Sequence, residues 1–298
     1  PETRVAAVWD DDPARAHEAG ERLGVQVAAS LDELLGRFDV DAITVTCETS
    51  THSAVIGTAL AAGVPVFTEK LLAPTVAECE ALVRASQESG TALVVSLPRL
   101  AEPVVRTAAE LVESGALGEL TYVRIRMAHD GWLRGWLPER FADPIAAIGG
   151  AFADLGCHPA YLVQRFLGAL PREVSATYGR VTGRPVEGTA VVTARYDNGA
   201  IGVAEASFVT TPGAFALELR GTDATLLHGF ARDRLIGKGG TFGEDWTPVP
   251  LAEAGVAPFD LWVDAIRRGA DTGPNLRAAV DLPALIVAAN TAAAIMSR

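Results

Sequence analysis

The chain has 298 residues, 37 of them acidic against 25 basic, for a net charge of −12 and a pI near 4.9. That balance argues against an electrostatic nucleic-acid binder and against a basic membrane-facing patch. The length favours two domains over one, and 49% apolar residues are enough for sizeable cores.

From the N-terminus, residues 4–9 read as a short strand ending at Asp10-Asp11-Asp12. Asp12 suits a helix N-cap, Pro13 the first helical position and Gly24 the stop. A second strand is predicted at 25–28, and the spacing of Ser30 and Glu33 opens a helix ending before Asp39. Residues 41–46 form a third strand, 53–62 a helix closed by Gly63, and 64–68 a fourth strand. Thr75 and Glu78 repeat the capping spacing for a helix to 89, and 91–96 is a fifth strand. Strands alternating with helices of this length predict βαβ units around a parallel sheet.

Beyond residue 96 the pattern changes. Residues 103–115 are helical, 119–128 a strand, and 150–168 helical around Pro159. Successive long strands run over 174–236, with Asn198-Gly199 as a hairpin signal. The glycine-rich 237–243 stretch reads as a mobile loop. Residues 278–296 are apolar but interrupted by Asp281, Pro283 and Asn290, so they read as an amphipathic helix rather than a membrane span. The expected fold class is α/β: a parallel unit over 1–98 joined to an α+β unit over 99–298 with a mostly antiparallel open sheet. Cys47, Cys79 and Cys157 are isolated, which suits reduced thiols in a cytoplasmic protein.

Two clusters carry chemistry. Only two lysines occur, and Lys70 follows Glu69 at the end of an apolar strand, where an open α/β sheet places its ligands. Arginine could serve a solvated surface, whereas an ammonium can be tuned for proton work; a surface Lys-Glu pair is the plain alternative. The other cluster is Gly149-Gly150-Ala151-Phe152-Ala153-Asp154-Leu155-Gly156-Cys157-His158. Paired glycines let backbone approach closely. Asp154 and His158 are four apart and are expected to share a helical face, as a tautomer-fixing pair or a buried structural one. No third ligand stands at useful spacing, so no metal is expected.

Asp10, ending a strand before a capped helix, is placed to accept from the ribose of a dinucleotide and to repel a 2′-phosphate. With Asp11 beside it, NAD is favoured over NADP; the alternative is that three aspartates merely cap a helix. The glycine-rich turn that normally precedes such an acid by about 20 residues is absent. The chain is therefore expected to be an N-terminal truncation lacking a central strand, and to bind NAD weakly in this form. Thr46, Cys47, Thr49 and His52 follow a strand on the same sheet edge and can line a dinucleotide cleft; His52 is equally a core or capping histidine. Trp132 and Trp136, with Phe141, precede the Gly149 cluster as sugar-stacking or core aromatics.

These residues together resemble the Gfo/Idh/MocA family of glucose–fructose oxidoreductase and inositol 2-dehydrogenase. Its E-K-P motif appears as Glu69-Lys70-Leu71, and its G-G-G-x-x-x-D-x-G-x-H motif as Gly149-Gly150-Ala151 with Asp154, Gly156 and His158. Leu71 replaces the proline, which is expected to loosen the turn; Ala151 replaces the third glycine; Tyr161 stands where many members have an aspartate. The segment typical of the family as T-P-N-x-x-H reads Cys47-Glu48-Thr49 with His52 retained.

The resemblance implies an NAD-dependent oxidoreductase acting on a sugar, cyclitol or related polyol. It implies that His158 removes the hydroxyl proton, Lys70 steadies the reacting oxygen and Asp154 orients a neighbouring hydroxyl, with Arg99, Trp132 and Trp136 at the substrate. It implies Asp10, Asp11, Thr46, Cys47, Thr49, His52, Glu69 and Lys70 at the cofactor, and a homodimer or homotetramer through the C-terminal sheet. An NAD-using glycosidase and a non-catalytic sugar-binding regulator are the alternatives on the same fold.

Overall fold

The computed structural model describes residues 3–37, 39–145, 148–230 and 234–296. The first unit alternates β1 (Ala7–Val8), α1 (Pro13–Leu23), β2 (Gln26–Val27), α2 (Leu31–Leu35), β3 (Ile43–Val45), α3 (His52–Ala61), β4 (Val66–Thr68), α4 (Val76–Ser89) and β5 (Leu93–Val95). Local chemistry accounts for the helix ends. Asp12 accepts from the Ala14 N–H, and Gly24 closes α1 at φ 67°. Thr75 and Glu78 form a reciprocal capping box on α4.

The parallel strands fall into two separate sheets, β1-β2 and β3-β4-β5. These are strand neighbours of a doubly wound parallel fold, divided into groups of two and three. Strands predicted at four to six residues pair over only two or three. On the two-stranded side the apolar residues stay wet: Val5 is 52% and Val27 41% exposed, against 4% or less for Val45, Val66 and Val95.

The second unit opens with α5 (Pro103–Glu113), β6 (Leu120–Ala128) and the short α6 (Gly131–Arg134). Then come α7 (Ala151–Asp154), α8 (Cys157–Leu167), β7 (Glu173–Gly179), β8 (Thr189–Arg195), β9 (Ile201–Ser207), β10 (Ala214–Gly221), β11 (Ala224–His228), β12 (Ile236–Gly239) and β13 (Thr247–Pro248). The eight strands form one sheet in the order β13-β12-β11-β10-β6-β9-β8-β7. Only the β6–β9 pairing is parallel. Val123 and Ile125 of β6 face the core beneath α8; on the other face Arg124 pairs with Glu205 at 2.9 and 3.1 Å.

One expectation needs correction here. Residues 237–243 are not a loose loop: 236–239 pair with β11, and Gly240–Phe242 close as a 3-10 turn. The tail also returns to the first unit. Trp262 and Val263 of α9 (Pro258–Arg268) cover Phe67 and Val94 on one face of the parallel sheet. Asn275, in α10 (Gly273–Met296), exchanges two 2.9 Å hydrogen bonds with the Val95 backbone. By length and composition α10 is apolar enough to cross a membrane, yet it packs on β7, α8 and α4 and buries Leu282, Leu285, Ile286 and Ala289.

Candidate active site

Lys70 leaves the end of β4, where Thr68 is fully buried and the Glu69 N–H donates to Val45 O at 3.0 Å. The Lys70–Leu71 peptide is cis. The turn is held firmly despite the missing proline. Leu71 is 2% exposed, and its carbonyl lies 2.7 Å from His52 Nδ1. His52 Nε2 lies 3.2 Å from Cys47 O, so both ring nitrogens face backbone carbonyls inside the core. Burial lowers its pKa. His52 therefore braces the 47–52 loop against the Lys70 turn, and no ring nitrogen remains for a cofactor.

The Lys70 ammonium crosses to the second unit. It donates to Asp154 Oδ1 at 2.7 Å and to the Asp154 carbonyl at 2.9 Å, with the two side chains 14% and 22% exposed. Burial alone would depress Lys70, but the Cys157 sulfur and the Asp154 carboxylate outweigh it and hold Lys70 above its ordinary value. The carboxylate is the partner that supplies charge, because burial pushes the Cys157 thiol up to about 12. Two of the three ammonium N–H groups are engaged, leaving one for a substrate oxygen.

The glycines before α7 have a structural reason. A Cβ on Gly150 would lie 2.3 Å from the Glu187 carbonyl oxygen and 2.7 Å from its carboxylate. That carboxylate accepts from the Phe152 N–H at 2.9 Å, and the Ala151 N–H donates to Glu187 O. Glu187 is 4% exposed, and burial raises its pKa against the Phe152 hydrogen bond. Glu187 thus anchors the start of the Asp154 helix, and nothing in its sequence surroundings points to that role.

Asp154 and His158 do not share one helix. Helical geometry is interrupted at Leu155-Gly156, where the Gly156 N–H reaches five residues back to Ala151 O. Pro159 lacks the N–H that would bond Leu155 O, and its ring crowds that carbonyl, so a fresh helix starts at Cys157. The break turns His158 toward a different set of partners. Its Nδ1 lies 3.0 Å from the Tyr161 hydroxyl, which also accepts from the Arg99 N–H at 3.2 Å. Burial, then the positive charges of Lys70 and Arg99, push His158 down to about 3.

The remaining candidates are distributed as follows. The Arg99 guanidinium pairs with Glu102 and lies over the Phe215 ring at 5.1 Å. Trp132 is 5% exposed and packs edge-on against Phe208, with Arg184 over its ring. Trp136 is 56% exposed, and its Nε1–H donates to Asp130. Between them His129 stacks on Phe208 at 5.0 Å, close enough to feel the Asp154 charge. His129 drew no attention in the sequence; its signal was only a histidine at a strand end.

On the cofactor side, Asp10 Oδ1 accepts from the Asp12 N–H and from Arg15, which also pairs with Asp11. Thr46 and Cys47 are exposed just past β3, and Thr49 is half-buried. Partial burial, with Asp11 and Asp10 nearby, raises the Cys47 thiol against a hydrogen bond from Thr51. Asp10 and Asp11, past the end of β1, therefore lie close enough to Cys47, past the end of β3, for their charges to act on it. Among the described residues no group of three or more His, Cys, Asp or Glu could hold a metal. Behind Tyr161 lies a cavity of about 610 Å³, bordered by Val105, Gln164, Leu261 and Asp281.

Known proteins resemble this chain in sequence and fold. A 2,7-anhydro-N-acetylneuraminate hydratase of Mediterraneibacter gnavus is 30% identical over 60% of this chain and 46% of its own length. Inositol 2-dehydrogenase 3 of Saccharopolyspora erythraea is 28% identical over 91% of this chain and 80% of its own. Thus the chain spans about half the length of some curated relatives it matches. The crystal structure of GenD2 from gentamicin A biosynthesis, in complex with NAD, superposes with a TM-score of 0.81 at 25% identity, covering 99% of this chain and 88% of that one. The model of the oxidoreductase family with an NAD-binding Rossmann fold matches residues 1–97, and the GFO/IDH/MocA C-terminal domain matches 105–227. With both halves matched in order, the chain belongs to the Gfo/Idh/MocA family of oxidoreductases.

Proposed function

We propose that this protein is an NAD-dependent dehydrogenase that transfers a hydride between the nicotinamide and a secondary alcohol of a sugar, cyclitol or related polyol. The observation that carries this reading is the 2.7 Å contact between Lys70 and Asp154. It sets an ammonium from a strand end of the NAD-binding unit against a carboxylate of the second unit, whose half-buried, neutral His158 feels the Lys70 charge.

Asp10, Thr46, Cys47, Thr49 and Glu69 offer acidic, hydroxyl and backbone groups along one sheet edge, which fits a dinucleotide. Asp11 beside Asp10 favours NAD, although Arg15 neutralises part of that charge. When bound, the nicotinamide supplies hydride exchange; the protein positions it. Lys70 hydrogen-bonds the reacting oxygen and stabilises charge developing there. Asp154 aims Lys70, and His158 completes the polar wall. Arg99, Trp136 and His129 lie where substrate hydroxyls would reach. We also assign self-association to the outer face of the eight-stranded sheet and a cytoplasmic setting to a protein with three free thiols.

The test is NADH absorbance with the protein and a panel of polyols and their ketones. Turnover that Lys70→Ala abolishes supports the reading. No turnover with any member of the panel, together with NAD binding indifferent to Lys70→Ala and His158→Ala, sinks it. The hydratase relative adds a specific outcome to watch: product formed with no net change in NADH would move the reading to transient, self-reversing oxidation.

A further inference from the structure

We infer that Tyr161 is a positioning residue that holds His158 in the tautomer with its proton on Nε2, so that the imidazole meets its substrate as a hydrogen-bond donor. The argument is an accounting of protons around one buried hydroxyl. Tyr161 is 2% exposed, and a buried phenol oxygen can accept, but its single proton also requires an acceptor. Among the described residues two groups touch that hydroxyl. One is the Arg99 backbone N–H at 3.2 Å, which can only donate. The other is His158 Nδ1 at 3.0 Å. The phenol proton is therefore directed at Nδ1, which must offer a lone pair. A neutral imidazole with its lone pair at Nδ1 carries its proton at Nε2.

The surroundings support a neutral ring. Lys70 and Arg99 bring positive charge to this site from two different elements, with Asp154 paired to Lys70 on a third. Burial and those two cations disfavour an imidazolium, so the ring remains neutral at physiological pH. This changes the division of labour implied by the resemblance. A ring with hydrogen already on Nε2 cannot accept the hydroxyl proton there. It donates a hydrogen bond to the substrate oxygen, while the proton that joins that oxygen as hydride arrives at the carbonyl carbon comes from the third N–H of the Lys70 ammonium and returns to that nitrogen in the reverse direction. The tautomer stands without reference to any substrate; only its consequence for hydride transfer rests on the dehydrogenase reading.

The test is ¹⁵N NMR of the histidine-labelled protein at neutral pH, with the His158 signals identified by their loss in His158→Gln. The expected wild-type spectrum shows a protonated Nε2 and an unprotonated Nδ1. In Tyr161→Phe the preference is lost and the two tautomers mix, with kcat falling up to about 100-fold while KM changes little. A wild-type Nδ1 that carries the proton overturns the inference, as does Tyr161→Phe with the Nε2–H state intact. If Tyr161→Phe does not fold, the wild-type spectrum decides alone. Because that spectrum needs no turnover, a protein without dehydrogenase activity can still confirm or refute the tautomer.

Discussion

The two sheets of this molecule reach order by different routes. In the first unit the strands run for two or three residues, and each strand of the pair β1-β2 has a ladder neighbour on one side only. In the second unit strands of seven to nine residues lie at the centre of an eight-stranded ladder. The same apolar residue types are dry in one and wet in the other: Ile125 is fully buried, whereas Val27 is 41% exposed. Residue type alone does not secure a strand; completeness of the ladder on both sides does.

Hydrogen exchange is the sharpest way to break or confirm this contrast. The amides of β1 and β2 are expected to exchange roughly 1000-fold or more faster than those of β6 and β9, because local opening there exposes little buried surface. Equal protection would mean that the small sheet is held by something other than its ladder.

The junction between the units comes next. Lys70→Ala is expected to lower kcat about 10²- to 10³-fold. Because it leaves Asp154 without its cation, it is also expected to loosen the two units, which limited proteolysis across 96–103 would reveal.

His158 gives the second unit an acid sensitivity of its own. Above pH 6.5 neither folded nor unfolded His158 binds a proton. Between 6.5 and about 3 the unfolded chain takes up a proton that the folded site refuses, so stability falls as pH drops through that window and levels off below it. The full effect is on the order of a few kcal/mol. Urea midpoints measured from pH 7 to 4 should decline more steeply for the wild type than for His158→Gln.

Gly150→Ala drives a methyl into the Glu187 carbonyl and is expected to cost about 1–3 kcal/mol, read by thermal denaturation. Arg124→Ala, on the outer face of the large sheet, breaks a half-exposed bidentate pair and should cost no more than about 1 kcal/mol. A larger loss there would mark that face as structurally committed.

Legibility in the sequence follows the range of each interaction. Caps and turns are local, so Asp12, Gly24, Thr75 and Glu78 announced their helices correctly. Lys70 and Asp154 were each conspicuous, but their contact spans 84 positions, and no periodicity reports a pairing of that kind; the family motifs linked them. The helical face drawn through Asp154 and His158 failed because Pro159 and Gly156 break the winding that a four-residue spacing assumes. Glu187 and the return of α9 and α10 to the first unit were invisible, since a lone buried glutamate and an apolar helix look ordinary in a linear string.

The cavity behind Tyr161 gives that side chain a second consequence. The side chain borders a cavity of about 610 Å³ edged by Gln164 and Asp281, and its hydroxyl touches the imidazole. The low basicity of the half-buried His158 rests first on burial, and Tyr161 supplies part of that cover. Truncation to Tyr161→Ala would join chamber and imidazole into one wet space, and the His158 pKa would climb back toward that of an ordinary histidine.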